Sequence, residues 1–275
     1  MSLTMLNWAT RMSTHQLIRR WVARNRQIYS PGTCTLYSRV IWRLVDFIPE
    51  NIKNTTVEHL ERYVAHCLDK EKLSRRTVCN HIGIIKSFFR WASENYDIEN
   101  LASKIKLLKY DPPKRRFISP EEYEKVLAVC SDGESRIIKL LYHTGLRASE
   151  LQGLQLSNIH GKSIRFTGKG RKERTVPLNE TAYNCLYIDD KPHIDFLKSF
   201  RYRNALYALC ARLSKRARLN SVASPHSYRR FFGTQLRAKG VDILTISQLY
   251  GHKNLDTTLL YLEHDDLQGS TDCLD

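Results

Sequence analysis

SPHSYRRFFGTQLRAKGVDILTISQLYGHKNLDTTLLY, residues Ser224 to Tyr261, decides how the rest of the chain is read. His226 and Arg229 stand three positions apart, a spacing that puts both on one helical face. Ser224-Pro225 in front of them predicts a helix start, because proline is tolerated in the first turn. Gly240 breaks the pattern. Val241, Ile243, Leu244, Ile246 and Leu249 then give the apolar spacing of a second amphipathic helix. His252 follows Gly251, and a third short helix is expected from Thr257 to Tyr261, capped by Asn254 or Asp256. Two histidines, an arginine and a tyrosine on consecutive short helices are groups that can clamp a phosphate, move its protons and attack it.

Two upstream stretches supply what such a site lacks. Thr144-Gly145-Leu146-Arg147-Ala148-Ser149-Glu150-Leu151 carries a second arginine, with Glu150 placed to hold it or a neighbouring group. Thr167 to Leu178, TGKGRKERTVPL, carries Lys169 between two predicted strands, Ser163 to Phe166 and Arg174 to Val176. The Gly-Lys-Gly tripeptide lacks the spacing of a phosphate-binding P-loop, so a β-hairpin is the better reading. With these motifs in order, the chain resembles the tyrosine recombinase (integrase) family over roughly Phe117 to Tyr261, and more loosely before that. Arg147 matches the family's first catalytic arginine and Lys169 its hairpin lysine. His226 and Arg229 match the H-x-x-R box, His252 the Gly-His box, and Tyr261 the nucleophile. Two positions depart from the common pattern. Tyr228-Arg229-Arg230 stands where relatives commonly have Leu-Arg-His, and Tyr250 stands where leucine commonly precedes Gly-His.

Composition agrees with a nucleic-acid partner. The 275 residues include 44 Lys and Arg against 28 Asp and Glu, a formal charge of +16. Such an excess favours acidic partners, nucleic acid ahead of membrane. From Arg201 to Gly240 no Asp or Glu occurs among many arginines and lysines, and this stretch is expected to form a phosphate-facing surface. The 7 cysteines are scattered without C-x-x-C spacing, which argues against a disulfide framework and a zinc site. No apolar run reaches membrane-spanning length, and the start lacks a signal-peptide core, so a soluble cytoplasmic protein is expected, nucleoid-associated when bound to DNA.

The fold class expected is mainly α with a small β-hairpin or sheet. Residues 1–108 read as a helical bundle, with helices over His15 to Asn25, Thr33 to Phe47, a third after a Thr55-x-x-Glu58 capping box, and a fourth after Ser74. Pro31-Gly32 is read as a turn and Leu36 as inward-facing. The resemblance makes this bundle a SAM-like core-binding domain, its Trp and Phe residues serving as core rather than base-stacking groups. Residues 109–116 form a basic linker stiffened by Pro112-Pro113. Residues 117–275 form a mixed α+β catalytic domain with a short acidic tail. Leu186 to Ser199 gives only a helix–loop expectation. No extra arm-binding domain is expected ahead of the bundle.

Arginine suits phosphodiester cleavage because its planar fork binds phosphate in a bidentate way and stays charged. A tyrosine with an ordinary pKa of about 10 needs nearby positive charge or a base to become a nucleophile. Any one of these residues alone is usually structural, and it is their joint spacing that carries weight. The resemblance implies a site-specific recombinase working through a 3′-phosphotyrosyl intermediate, with Tyr261 as nucleophile, Lys169 as general acid, and Arg147, His226, Arg229 and His252 at the phosphate. It also implies double-stranded DNA carrying recombination sites and a synaptic tetramer. No carboxylate or Cys/His cluster in the sequence suggests a metal, and attack by a side chain requires neither metal nor other cofactor. The alternative is a non-catalytic DNA-binding accessory or site-recognition protein on the same fold. That role tolerates loss of catalytic residues, and none is lost here.

Overall fold

The computed structural model describes residues 12–48, 51–111, 116–167, 173–202, 204–252, 254–255 and 258–259. The chain divides into two compact units, Met1–Lys114 and Arg115–Asp275. Among the described residues it is mostly helical, with small sheets only in the second unit.

The first unit contains α1 (Thr14–Ile28), α2 (Pro31–Phe47), α3 (Val57–Asp69) and α4 (Arg75–Tyr96). Each begins at a hydroxyl side chain that accepts from a backbone N–H otherwise left without a partner. Ser13, Ser30, Thr56 and Ser74 do so for Gln16, Thr33, His59 and Thr77. Two of these starts differ from the sequence reading. Pro31 opens α2 instead of turning before it, because Ser30 caps the helix and proline needs no donor in the first turn. Thr56 rather than Thr55 caps α3, since Thr56 and His59 exchange reciprocal bonds of 3.3 Å while Thr55 is buried. Trp21, Phe88, Phe89 and Trp91 are buried in one core with Leu17, Leu44 and Tyr63, so these aromatics pack the interior. A fully buried side chain of this size contributes about 1.5–3 kcal/mol relative to exposure, which makes base stacking by them untenable. Leu36, expected inward, is exposed. At 100° per residue it lies about 100° from the centre of the stripe formed by buried Cys34, Val40, Ile41 and Leu44, at the edge of the apolar face.

The second unit starts with α5 (Pro120–Leu127), capped reciprocally by Ser119 and Glu122, then α6 (Asp132–Thr144) and α7 (Ala148–Gln152). Strands β1 (Ile159–His160), β2 (Ser163–Thr167) and β3 (Glu173–Pro177) form an antiparallel sheet in the order β1-β2-β3, with Ile164 opposite Val176 and Phe166 opposite Arg174. After α8 (Glu180–Leu186), β4 (Tyr187–Ile188) and β5 (Lys191–Pro192) pair as a tight hairpin within the stretch expected only as helix and loop. Asp189 and Asp190 make its turn with φ of 48° and 56°. Two-residue hairpin turns need such angles, and Asp-Asp announces them less clearly than Asn-Gly does.

Helices α9 (Ala205–Arg216), α10 (Pro225–Ala238) and α11 (Ile243–Tyr250) complete the unit. Leu140, Leu141, Leu151, Leu209, Leu213 and Phe231 share its main core. Ile246 and Tyr250 anchor α11 on a smaller cluster with Phe232 and Leu236. Leu244 points outward instead, because Ser247 and Tyr250 continue the buried stripe from Ile246. Among the described residues, no helix is long and apolar enough to cross a membrane.

Candidate active site

Helix α6 ends on Gly145, whose φ of 58° is the left-handed cap conformation that glycine adopts without strain. That turn releases Arg147 to the N-cap of α7. Its backbone N–H donates to Glu150 Oε2 at 2.7 Å, and its side chain donates to Glu150 Oε1 at 2.8 Å. Ser224 and Pro225 start α10 as the sequence predicts, and His226 and Arg229 lie one turn apart on it. Arg229 is buried, its side chain 1% exposed. It donates to the Gly145 carbonyl, to the Tyr250 carbonyl at 2.6 Å and, more weakly, toward His252 Nε2 at 3.4 Å. The Tyr250 ring lies 4.3 Å from the guanidinium carbon, and the Tyr250 hydroxyl donates to the Arg229 carbonyl.

Tyr250, a departure from the common pattern, is therefore a support for Arg229. Beside it Gly233 has no room for a side chain. Arg230, the other departure, donates to the Arg116 carbonyl at 3.0 Å.

Charge is concentrated here. Arg147, Arg174 and Arg229 gather around Glu150, whose Oε2 takes Arg174 at 2.8 Å and has Arg229 at 4.0 Å. Burial pushes the Glu150 carboxyl up, but Arg174 and the Arg147 backbone and charge outweigh it and hold it below its ordinary value. Burial, then the Arg147 and Arg174 charges, lower Arg229 to about 10, which leaves it protonated at neutral pH. Three guanidinium groups on one carboxylate form a positive site suited to an anion.

His252 is held down to about 4 by burial first and then by Arg229, Arg147 and Arg174, so it is neutral at pH 7. Its tautomer follows from its partners. A guanidinium only donates, so Nε2 accepts from Arg229 and Nδ1–H donates to Thr258 Oγ1 at 2.8 Å. His226 is lowered by burial and then by Arg230, Arg229 and Arg147. For His252 the unfolded chain takes up a proton near pH 6.5, while the folded chain does so only near 4. Stability therefore falls as pH drops through that window. NMR titration of the free protein is expected to place the His252 imidazole well below its ordinary value, and a midpoint near 6.5 would contradict the packing described.

The structure thus brings together Arg147, Arg229 and His252, with His226 on the same helix as Arg229. Lys169 and Tyr261 lie outside the described residues, as do most of the helix expected from Thr257 to Tyr261 and the acidic tail. Sequence reasoning missed Arg174 as part of the cluster. The available signal was an arginine in register with buried Val176 and Leu178 on one face of a strand. The basic stretch from Arg201 to Gly240 is not a uniform phosphate-facing surface. Arg212 and Arg216 pair with Glu134 at 2.8 and 3.1 Å, Arg201 donates to the Leu154 carbonyl, and Arg229 is buried. Their acidic partner comes from a distant part of the sequence.

Residues 116–268 match the profile of the phage integrase family, and residues 18–96 match the phage integrase N-terminal SAM-like domain. The tyrosine recombinase XerC of Chlamydia muridarum is 31% identical over 240 residues, covering 78% of this chain and 72% of that protein. XerC of Oceanobacillus iheyensis is 29% identical over 261 residues, covering 84% and 85%. Among solved structures, a lambda integrase dimer bound to a COC′ core site aligns with a TM-score of 0.74 at 17% identity, over 93% of this chain and 96% of that one. The Tn1549 transposon integrase in complex with circular intermediate DNA aligns at 0.71 and 20% identity, over 96% and 99%. These two likenesses are of fold.

Proposed function

This chain belongs to the phage integrase family of tyrosine recombinases, and from that premise we propose that it cleaves and rejoins duplex DNA at specific sites through a 3′-phosphotyrosyl intermediate. The observation that carries the reading is the buried Arg229, fixed by two backbone carbonyls beside Arg147 and a neutral His252. A cation held so rigidly without a full complement of carboxylates is placed to stabilise charge on a transferring phosphoryl group.

In this reading Arg147 and Arg229 grip the non-bridging oxygens of the scissile phosphate. The Tyr261 hydroxyl gives its proton to neutral His226 as its oxygen attacks phosphorus, a phosphotyrosine bond forms, and the bond to the 5′-oxygen breaks. Lys169 gives that oxygen its proton. His226 supplies the proton transfer at Tyr261, and His252, engaged with Arg229 and Thr258, steadies the Arg229 fork at the phosphate. The reverse attack by a 5′-hydroxyl reseals a strand, and exchange of partners between the two steps gives recombination. Residues 1–108 grip DNA as the core-binding domain, 109–116 link it to the catalytic domain 117–275, and four copies assemble on two sites.

The test is a nicked suicide substrate built on a duplex selected by the protein from random sequences. A denaturation-resistant protein–DNA adduct is expected. Tight binding with no adduct would instead identify a non-catalytic DNA-binding protein.

Lys169→Ala is expected to block cleavage of ordinary DNA, because an alkoxide leaves poorly without a proton. Sulfur at the 5′ bridging position leaves unprotonated, so that substrate is expected to restore cleavage by the variant selectively. Equal impairment on both substrates would remove Lys169 as general acid.

A further inference from the structure

Arg174 stands at the foot of the β2–β3 hairpin, where pairing with Phe166 fixes its backbone. Its side chain is 10% exposed and runs inward from the strand toward α7 and α11. One end of the fork, Nη2, donates to Glu150 Oε2 at 2.8 Å, the oxygen that also caps Arg147. The other, Nη1, donates to the Tyr250 carbonyl at 2.7 Å, which also takes Arg229 Nη2 at 2.6 Å. Two guanidinium groups therefore converge on one carbonyl, two residues before His252. Nε is also enclosed by protein, without a hydrogen-bond partner. Arg174 thus spends both ends of its fork on protein acceptors that also hold Arg147 and Arg229.

The following turn is shaped around the same side chain. Gly251 has a φ of 62°, and a Cβ built there would lie 2.7 Å from Arg174 Cδ and 3.0 Å from Nη1. Glycine before His252 is required by its backbone angle and by the space that Arg174 occupies. A lysine at 174 would keep the charge, but a single ammonium on a flexible stem does not reproduce a fork spanning a carboxylate and a carbonyl.

We propose that Arg174 is a positioning residue. It locks the Tyr250–His252 turn and the Glu150 carboxylate to strand β3, so that Arg147, Arg229, His252 and that strand are held as one unit. This rests on the recombinase reading. Small displacements of reacting groups cost on the order of 10²-fold in rate, so the role is visible in cleavage rather than in DNA affinity.

The experiment compares wild type, Arg174→Lys and Arg174→Met by single-turnover adduct formation on saturating suicide substrate. DNA affinity, melting and the NMR titration of His252 are followed in parallel. Expected are DNA affinities within about threefold of wild type, and adduct rates per folded molecule lowered ~10-fold in the lysine variant and ~10²-fold in the methionine variant. The His252 midpoint rises in Arg174→Met, which loses a neighbouring cation, and stays low in Arg174→Lys, which keeps one. Should the methionine variant fail to fold, the lysine variant decides alone. A wild-type adduct with an undiminished rate in Arg174→Lys overturns the inference while sparing the recombinase reading. No adduct from the wild type overturns the recombinase reading and this inference with it.

Discussion

Tyr261→Phe is expected to bind DNA with wild-type affinity and to form no covalent adduct at all. The substitution removes one oxygen and leaves the ring, so packing and the positive charge that draws DNA are retained, while the nucleophile is gone. Among the described groups of the cluster, the guanidinium groups of Arg147, Arg174 and Arg229 are not nucleophiles, and the Glu150 carboxylate is taken up by Arg147 and Arg174. Filter binding and denaturing gels on the same suicide substrate separate the two effects. An adduct formed by the variant at the wild-type rate would assign the attack to another residue.

Arg229→Ala is expected to lower the cleavage rate by ~10²-fold or more per folded molecule, the scale seen when a preorganised stabiliser of transition-state charge is removed. It is also expected to destabilise the catalytic unit. The deletion strips a donor from the Gly145 and Tyr250 carbonyls and opens a space against the Tyr250 ring. Breaking one side of a buried charged network costs about 3–5 kcal/mol, so melting must be measured beside kinetics. Rates corrected for the folded fraction that match wild type would show that Arg229 only supports the fold.

How much of this was legible in the sequence depended on whether the deciding contact was local. The Ser224-Pro225 cap, the one-turn spacing of His226 and Arg229, and the β2–β3 hairpin are set by neighbours a few residues apart, and they were readable. Glu150 as a partner of Arg147 was readable for the same reason. Arg174 was not, because its partners, Glu150 and the Tyr250 carbonyl, are brought to it only by the tertiary fold. The same holds for Arg212 and Arg216, whose pairing with Glu134 removes them from the expected phosphate-facing run. Thr56 in place of Thr55 as the α3 cap shows the other source of error. Adjacent hydroxyls are equal as caps on paper, and burial of Thr55 decided between them.

A covalent bond between Tyr261 and the 3′ side of a broken strand is what the mechanism requires, and that bond can be mapped. The adduct trapped on a suicide substrate would be digested with protease and nuclease and its cross-linked peptide sequenced by mass spectrometry. A nucleotide attached through its 3′-phosphate to the peptide containing Tyr261 is expected, with a free 5′-hydroxyl on the released strand. Attachment through a 5′-phosphate, or to any residue other than Tyr261, would contradict the mechanism.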